Sequence, residues 1–539
     1  MRKNRSFSGV IILIIVSLVL GFLIGKYYKS INNPQYKLFR TSQNMIDRTL
    51  EIITQAYVDT VNVGRLTEGA VAKIVSELDP HSAYIPVADV TASNEELEVS
   101  FGGIGVMFNM QFDTILVVNI ISGGPAEKAG LIPFDRIITI NDSVVAGKGI
   151  NSQNIMKMLR GPKNTKVRVG IQRGDETELV DFELTRGDIP NNSIDVAYKV
   201  TDNIGYVRVS KFARNTYNEF ITSLAKLQQQ GATGFIIDLR DNGGGLLDAA
   251  VHMANEFLQK NSLIVYMEGH AYPRMNFNAN GKGSWQENPV IVLINEPSAS
   301  ASEIFSGAIQ DNDRGLIIGR RSFGKGLVQQ KFELPDKSEI ALTIARYYTP
   351  SGRCIQKEYE LGKSDEYYLD FYNRIVHGER ENADSIKIHE DLACTTLNGR
   401  TVYGGGGIMP DIFVPYDTTQ ITSYYQKVIN TGTFHQFVLK YSDANRSKLK
   451  SFNTYEELYA YLKQQPLINE FTDYAASKGI PKRSTLINIS RNLMETQLCA
   501  SIVKNFFDNE GFYPIIRKYD EALNKAISIM EEGKWKPEI

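Results

Sequence analysis

Residues 289–330 of the chain read PVIVLINEPSASASEIFSGAIQDNDRGLIIGRRSFGKGLVQQ. Within them, Val290 to Ile294 is an unbroken β-branched apolar run, as expected for a strand buried on both faces. The small residues that follow lead into an expected helix at about Ser302 to Ile309, and a second apolar strand is expected at Leu316 to Ile318. A similar strand and helix come earlier, within 234–258. This repeated order predicts a parallel or mixed sheet with helices on its faces.

Three serines, Ser298, Ser300 and Ser302, stand where the first strand turns into the helix. A serine at such a turn can expose its hydroxyl beside unpaired backbone N–H groups, which suits a nucleophile with an oxyanion hole. The same serines could simply cap the helix, and residue chemistry alone does not choose among them. Lys325, set between two glycines, adds weight to the catalytic interpretation, because a desolvated lysine with a lowered pKa can act as a general base.

The segments NEPSASASE and FGKG, with a glutamine four residues beyond the lysine, resemble the active-site region of the carboxyl-terminal processing proteases. These enzymes, also called tail-specific proteases, are Ser-Lys peptidases. The resemblance implies that Ser300 is the nucleophile, Lys325 the general base and Gln329 the residue that assists the lysine.

A second segment, DLRDNGGG at 238–245, follows another apolar strand and resembles the second hallmark of the same family. The resemblance implies that its glycines help to form the oxyanion hole, in a core of the ClpP/crotonase type. Gly244 and Gly245 are the candidates, with the Ala301 N–H as the second donor. A strand, glycine turn and helix could also cradle a phosphate, but neither common phosphate-binding signature is present.

A glycine-rich loop at 101–106 opens a segment that resembles a PDZ domain, together with GPAEKAGL at 124–131 and DRIITIN at 135–141. Successive N–H groups of such a loop can hold a carboxylate while the bound peptide adds as a strand. Arg160, at the end of the second predicted helix, is a candidate for carrying a gating signal from the PDZ domain. The candidate peptide-binding residues are Phe101, Gly102, Gly103, Ile104, Gly105, Val106, Ile155 and Leu159.

The N-terminus carries basic residues before an apolar run from Phe7 to Gly25. About 19 helical residues span roughly 28 Å, close to the hydrocarbon thickness of a bilayer. A cleaved signal peptide is the rival interpretation, but an A-x-A-like site is lacking after Gly25. We therefore expect an uncleaved signal anchor that places the rest of the chain outside the cytoplasm, on a bacterial inner membrane.

Composition limits the other function classes. The net charge is −2 and the pI about 6.4, so nothing points to nucleic acid. The six histidines are scattered without metal-ligand spacing, and we expect no metal and no cofactor. Cys354 and Cys394 could form a disulfide, although free thiols are equally expected. His81, in the family-like run LDPHS, is interpreted as structural.

The sequence thus predicts a multidomain α/β protein. The expected parts are a transmembrane signal anchor at 1–30, a helical region at 36–95, an inserted PDZ domain at 96–187, a Ser-Lys protease core at 195–416 and a helical C-terminal extension at 417–539. The insertion at about 358–391 lies outside the family pattern, and the C-terminal extension carries no recognised motif, so a packed structural appendage is expected there.

The function implied is a membrane-anchored serine endopeptidase whose substrates are exported proteins with free, unstructured C-termini. The first alternative is a non-catalytic PDZ scaffold, or pseudoprotease, that binds C-termini without cutting them. The second is an acyl-CoA enzyme built on the same crotonase-type core. A homo-oligomer or an activating adaptor is left open by the sequence.

Overall fold

The computed structural model describes residues 44–111, 113–121, 123–173 and 178–537. The predicted signal anchor at 1–30 lies outside the described residues. In the described ranges, no helix is long and apolar enough to cross a membrane. The chain divides into two units, residues 1–75 and 76–539, which are described separately.

The first unit is helical, as predicted for this region. Its helices are α1 (Met45–Ala56) and α2 (Val63–Ser76). The last residue of α2, Ser76, is the first residue of the second unit. Asn44 caps α1, because its side chain accepts the N–H of Ile46 at 3.0 Å. Residues 57–62 separate the two helices.

The second unit begins with β1 (Ala83–Ile85) and α3 (Val87–Glu95), and the PDZ region follows. Its elements are β2 (Ser100–Gly103), β3 (Val106–Gln111), β4 (Thr114–Ile120), α4 (Pro125–Ala129), β5 (Arg136–Ile140), β6 (Ser143–Val144), α5 (Ser152–Leu159), β7 (Lys166–Gln172), β8 (Val180–Thr185) and β9 (Gly187–Pro190). Strands β3-β4-β5-β7-β8 form one antiparallel sheet with β6 added to β5, and β3 is its edge strand. Strands β2 and β9 pair separately.

The region predicted as the protease core comes next in the chain. Its elements are β10 (Ile194–Lys199), β11 (Ile204–Val209), α6 (Thr216–Gln229), β12 (Gly234–Asp238), α7 (Leu247–Asn255), β13 (Leu263–Glu268), β14 (Met275–Asn278), β15 (Val290–Ile294), α8 (Ala301–Asp311), β16 (Leu316–Gly319), β17 (Leu327–Glu333), β18 (Glu339–Tyr348), α9 (Ser364–Val376), β19 (Ala393–Thr395), β20 (Thr401–Tyr403) and β21 (Ile412–Phe413).

The main sheet of the core has the order β10-β11-β12-β15-β16-β21. Every pair from β11 onward is parallel, while β10 is antiparallel, so the predicted mixed sheet is confirmed. All residues of β12 and β15 are buried, which explains the apolar runs Phe235–Ile237 and Val290–Ile294 within them. One face of the sheet packs on α6, α7 and α8, where Phe220, Phe257 and Phe305 meet edge to face.

A second, five-stranded antiparallel sheet contains β1, β18, β13, β14 and β17. Tyr347 of this sheet and Ile264 join the same core as helix α8. The sheet therefore places β17, and the glycine-lysine-glycine segment just before it, against the start of α8.

The C-terminal extension is helical, as predicted. Its helices are α10 (Ser423–Asn430), α11 (Thr433–Ala444), α12 (Arg446–Leu449), α13 (Tyr455–Leu462), α14 (Leu467–Ser477), α15 (Ser484–Ile516, interrupted at Phe507 and Asp508) and α16 (Glu521–Glu531). The first helices form a hydrophobic core of their own, but α16 covers the second face of the main sheet, where Leu523 and Met530 pack with Ile236 and Leu293. The extension is therefore part of the sandwich that buries the sheet.

The extension also contacts the PDZ region. Leu439 of α11 packs with Phe134 and Leu116 of the PDZ region. The Arg446 guanidinium lies 4.7 Å from the centre of the Phe134 ring and donates to the Pro133 carbonyl. These contacts dock the PDZ region on the extension.

Candidate active site

Three segments with the predicted catalytic residues meet at one edge of the main sheet. The glycine turn 243–245 follows β12, Ser300 follows β15, and Lys325 lies between β16 and β17. Strands β12, β15 and β16 are parallel neighbours, so their carboxyl ends lie side by side. This edge is where open α/β sheets place their ligand-binding residues.

The structure distinguishes the three serines that residue chemistry left equivalent. The Ser298 hydroxyl donates to the Leu239 carbonyl at 2.8 Å, and the Ser302 hydroxyl donates to the Asn242 carbonyl at 2.9 Å. Both side chains are fully buried. Ser300 is half-buried and adopts a left-handed backbone conformation, with φ +56° and ψ −115°. A strained, accessible serine at a strand-to-helix turn is the geometry of a nucleophile.

The two candidate glycines differ in what their N–H groups do. The Gly244 N–H donates to the Asn242 side chain at 2.8 Å, whereas those of Gly245 and Ala301 have no acceptor within the described residues. A Cβ on Gly244 would lie 2.7 Å from the Ser300 Cβ, so Gly244 permits a close approach to the serine. The oxyanion donors that this geometry favours are therefore Gly245 and Ala301, and Gly244 has a spacing role.

Glu303, fully buried in the first turn of α8, connects the serine and lysine segments. Its Oε2 atom accepts the backbone N–H groups of Ser300 at 2.8 Å and Lys325 at 2.9 Å. Its Oε1 atom accepts from the Ser322 hydroxyl and the Gly324 N–H. Burial raises the pKa of Glu303 to about 7, although these four donors oppose the shift. The sequence placed this glutamate in the helix but did not reveal its partners.

Lys325 lies half-buried beside this carboxylate. Burial lowers the pKa of its amine, and the negative charges of Glu303 and Asp79 offset only part of the effect. The single hydroxyl proton of Tyr347 is shared between the Lys325 carbonyl and the Ser300 carbonyl, 3.1 Å away, which ties both backbones to β18. Within the described residues, no hydrogen bond joins the Ser300 hydroxyl to the Lys325 amine.

Gln329, the third predicted residue, lies on β17. Its side-chain nitrogen donates to Thr343 Oγ1 on β18 at 3.2 Å. The part of the chain that the structure describes contains no hydrogen bond between Gln329 and Lys325, so the assisting role of the glutamine stays a prediction.

Among the described residues, the His81 ring makes no hydrogen bond to Ser300 or to Lys325. Its ring nitrogen contacts the Tyr367 hydroxyl at 3.0 Å. Burial, with the positive charges of Lys325 and Lys357, lowers the pKa of His81 to about 4, so the ring is neutral at physiological pH. This agrees with the structural role predicted for it.

The insertion that the sequence left unplaced packs against the lysine segment. Its helix α9 brings the Tyr367 ring within 5.9 Å of the Phe323 ring, centre to centre, and Arg374 donates to the Ser322 carbonyl at 3.1 Å. Lys357 donates to the Tyr367 carbonyl at 2.8 Å. The insertion is therefore a wall of the active-site region, which sequence reasoning missed.

In the PDZ region, β3 pairs only with β4 among the described strands, and its other edge lies next to the glycine-rich turn, where Gly105 has φ +77°. This suits the addition of a peptide strand. Ile155 is fully buried and Leu159 nearly so, within the PDZ core, so a pocket-lining role for them stays a prediction. The Arg160 guanidinium lies 4.0 Å from the centre of the Phe101 ring and 4.0 Å from Glu95 Oε2 on α3.

Among the described residues, no cluster of histidine, cysteine, aspartate or glutamate could hold a metal ion. Cys354 and Cys394 are free thiols, so the disulfide that the sequence allowed is not formed in this structure.

Comparison with known proteins gives the family. The sequence model of peptidase family S41 matches residues 203–362, which hold Ser300, Lys325 and Gln329. A carboxyl-terminal-processing protease of Synechocystis sp. is 33% identical over 369 residues, 63% of this chain and 84% of its own. The chain belongs to peptidase family S41.

The S41 relatives are serine-type peptidases by description. A probable CtpA-like serine protease of Staphylococcus haemolyticus is 34% identical over 312 residues, 58% of this chain and 62% of its own length. Among solved structures, a photosystem II D1 C-terminal processing protease is 25% identical, covering 70% of this chain and 93% of its own, with a TM-score of 0.36.

Two other sequence models match outside the S41 core. A PDZ domain model matches residues 102–184, which identifies the inserted domain. A family of unknown function matches residues 424–508, within the helical extension.

Proposed function

We propose that this S41 chain is a membrane-anchored serine endopeptidase that cleaves exported proteins after its PDZ domain binds their C-terminal ends. The observation that carries the proposal is the position of Ser300. Its backbone is strained at φ +56°, and the hydroxyls of its neighbours Ser298 and Ser302 are held by backbone carbonyls. Ser300 lies beside the glycine turn, where the Gly245 N–H has no acceptor among the described residues.

The proposed reaction begins with attack of the Ser300 hydroxyl on the scissile carbonyl carbon. Lys325 accepts the hydroxyl proton in its neutral form, which burial favours by lowering the pKa of the amine. The N–H groups of Gly245 and Ala301 hold the oxyanion of the tetrahedral intermediate. When the intermediate collapses, the amine leaves with the proton from Lys325 and an acyl-enzyme remains. Water then attacks the ester carbonyl while Lys325 takes a proton from it. The lysine returns this proton to the serine oxygen as the ester bond breaks and the acyl group leaves as a carboxylic acid.

Substrate recognition is assigned to the PDZ domain. The open edge of β3 and the glycine-rich turn before it suit a peptide strand that ends in a free carboxylate. Arg160 joins this turn to α3 through Phe101 and Glu95, which supports its proposed part in gating.

Anchoring rests on the sequence alone. The basic N-terminus and the apolar run from Phe7 to Gly25 support a signal anchor in a bacterial inner membrane, with the S41 core outside the cytoplasm.

The proposal is tested with the full chain in detergent micelles and an unfolded protein that ends in apolar residues. The wild type and a matched lysine control, Lys331→Ala, are expected to cleave it, whereas Ser300→Ala and Lys325→Ala are not. Amidation of the substrate C-terminus is expected to slow cleavage. Binding of the substrate without cleavage by the wild type would instead favour the scaffold alternative.

A further inference from the structure

A chain of hydrogen bonds leads from Gln329 to Asp79, the buried aspartate of the LDPHS run. The side-chain nitrogen of Gln329 donates to Thr343 Oγ1 at 3.2 Å, and Thr343 Oγ1 donates to Asp79 Oδ1 at 2.9 Å. Gln329 and Thr343 stand directly opposite each other on the paired strands β17 and β18. Asp79 is therefore linked to Gln329, the residue predicted to assist the lysine, by two hydrogen bonds that meet at Thr343.

The direction of these bonds follows from the ionisation of Asp79. Its carboxylate also accepts the N–H groups of His81 at 2.9 Å and Ser82 at 3.0 Å, and the Ser82 hydroxyl at 2.6 Å. Burial opposes the charge, but the bonds from Ser82, His81 and Thr343 outweigh it and lower the pKa of Asp79. An ionised carboxylate only accepts, so the single proton of the Thr343 hydroxyl points to Asp79.

The remaining partner of that hydroxyl must then be a donor. Thr343 Oγ1 has no second proton, so it can only accept from Gln329. The amide nitrogen of Gln329 accordingly faces Thr343, and the carbonyl oxygen Oε1 is turned away from it. The reverse amide orientation would set Oε1 against a lone pair of Thr343. A lysine amine in its charged form carries only donors, and Oε1 is the acceptor that it requires.

We propose that Asp79, acting through Thr343, fixes the amide orientation of Gln329 so that its carbonyl oxygen is presented to Lys325. Asp79 and Thr343 are thus positioning residues. The inference rests on the proposed Ser-Lys function and deepens it, because it assigns a task to the LDPHS run and to a threonine on β18.

Charge and orientation effects on Lys325 must be separated in a test. The charged or titratable groups that act on its amine are Glu303 on α8, Asp79 and the neutral His81. Replacing Asp79 would change the charge and the hydrogen bonds together. Replacing Thr343 breaks the connection to Gln329 without removing a charged side chain, and Asp79 keeps its three donors from His81 and Ser82.

The kinetic test compares Thr343→Val, Thr343→Ser and Gln329→Ala with the double variant, in the full chain. We expect Thr343→Val to lower kcat roughly ten- to a hundredfold, with KM little changed, because the groups around the base are misplaced. Thr343→Ser keeps the hydroxyl and should retain most of the activity. In the Gln329→Ala background, Thr343→Val should cost nothing further. An equal loss in both backgrounds would overturn the proposal, and Thr343→Ala repeats the comparison if the valine variant folds poorly.

A second readout does not depend on cleavage. In Ser300→Ala protein, the pH dependence of chemical labelling of the Lys325 amine, followed by mass spectrometry, reports the pKa of that amine. Thr343→Val and Gln329→Ala should lower this pKa alike, and the double variant no further, because Gln329→Ala removes the oxygen proposed to accept from the ammonium and Thr343→Val no longer fixes its orientation. An unchanged pKa in Thr343→Val overturns the inference. If the variants show these pKa shifts but the wild type shows no Ser300-dependent cleavage, the proposed function is refuted and the positioning inference stands.

Discussion

The Oε2 atom of Glu303 accepts the backbone N–H of Lys325 at 2.9 Å. The same oxygen accepts the N–H of Ser300 at 2.8 Å, so one carboxylate holds the segments of the proposed nucleophile and base together. Because both bonds are made by backbone groups, they leave the Ser300 hydroxyl and the Lys325 amine available for the reaction.

Replacing Glu303 with Gln should therefore damage catalysis more than binding. Each oxygen of the Glu303 carboxylate accepts two hydrogen bonds. In glutamine an N–H₂ group replaces one of these oxygens, and its protons would point at two groups that are themselves donors. We expect kcat to fall by roughly a hundredfold, with a smaller change in KM. Steady-state kinetics measure this effect, with the exposed Glu333→Gln as the control. A Glu303→Gln variant with wild-type kcat would contradict the positioning role.

The buried Lys325 should cost stability at neutral pH. The pKa of its amine is lower in the folded protein than in the unfolded chain, so the unfolded chain binds the proton more tightly. The free energy of unfolding therefore decreases as the pH falls from the ordinary lysine pKa through the folded-state pKa. Lys325→Met, which removes the buried charge, should raise the melting temperature near pH 7. The difference should shrink as pH rises toward the ordinary lysine range of about 10.5. Thermal unfolding across pH tests this, and a variant that melts below the wild type at pH 7 would contradict it.

The same lowered pKa sets the expected pH dependence of cleavage. The value of kcat/KM should rise with pH as Lys325 loses its proton, and its midpoint should lie below the pKa of an ordinary lysine. Lys325→Arg should be inactive across the range, because a guanidinium stays protonated. Measurable Lys325→Arg turnover would assign the base to another group.

The contact between the PDZ region and the helical extension should restrain the PDZ domain. Leu439→Ala and Arg446→Ala remove the apolar and cation-π contacts to Phe134. We expect amide hydrogen exchange in β4 and around Phe134 to become about tenfold faster, corresponding to about 1.4 kcal/mol. Lys448→Ala is the matched control, because its amine lies over Phe452 and Tyr461 within the extension. Unchanged exchange in both variants would show that this docking does not restrain the domain.

Much of the fold could be predicted because its signals are local. The apolar run from Val290 to Ile294 became strand β15 with the same limits, and Leu316 to Ile318 became β16 with one more residue. The parallel arrangement followed from the repeated strand–helix order. The family motif supplied the choice of Ser300, which residue chemistry alone left open.

What the sequence could not predict depends on contacts between distant residues. Ser298 and Ser302 are held by carbonyl groups 59 and 60 residues earlier, which no local pattern records. His81 meets Tyr367 of the insertion across 286 residues of chain. Gly244 could be separated from Gly245 only after the Asn242 side chain was located. Each of these depends on packing between elements, which sequence periodicity does not encode.

If Ser300 forms the acyl-enzyme with Lys325 as its base, peptide mapping of a trapped acyl group should locate it. The full chain would be incubated with an activated ester of an apolar peptide, quenched in acid, digested and analysed by mass spectrometry. We expect an acyl group on Ser300 in the wild type and none in Lys325→Ala. An acyl group on Ser298 or Ser302, or equal acylation of Ser300 without Lys325, would contradict this expectation.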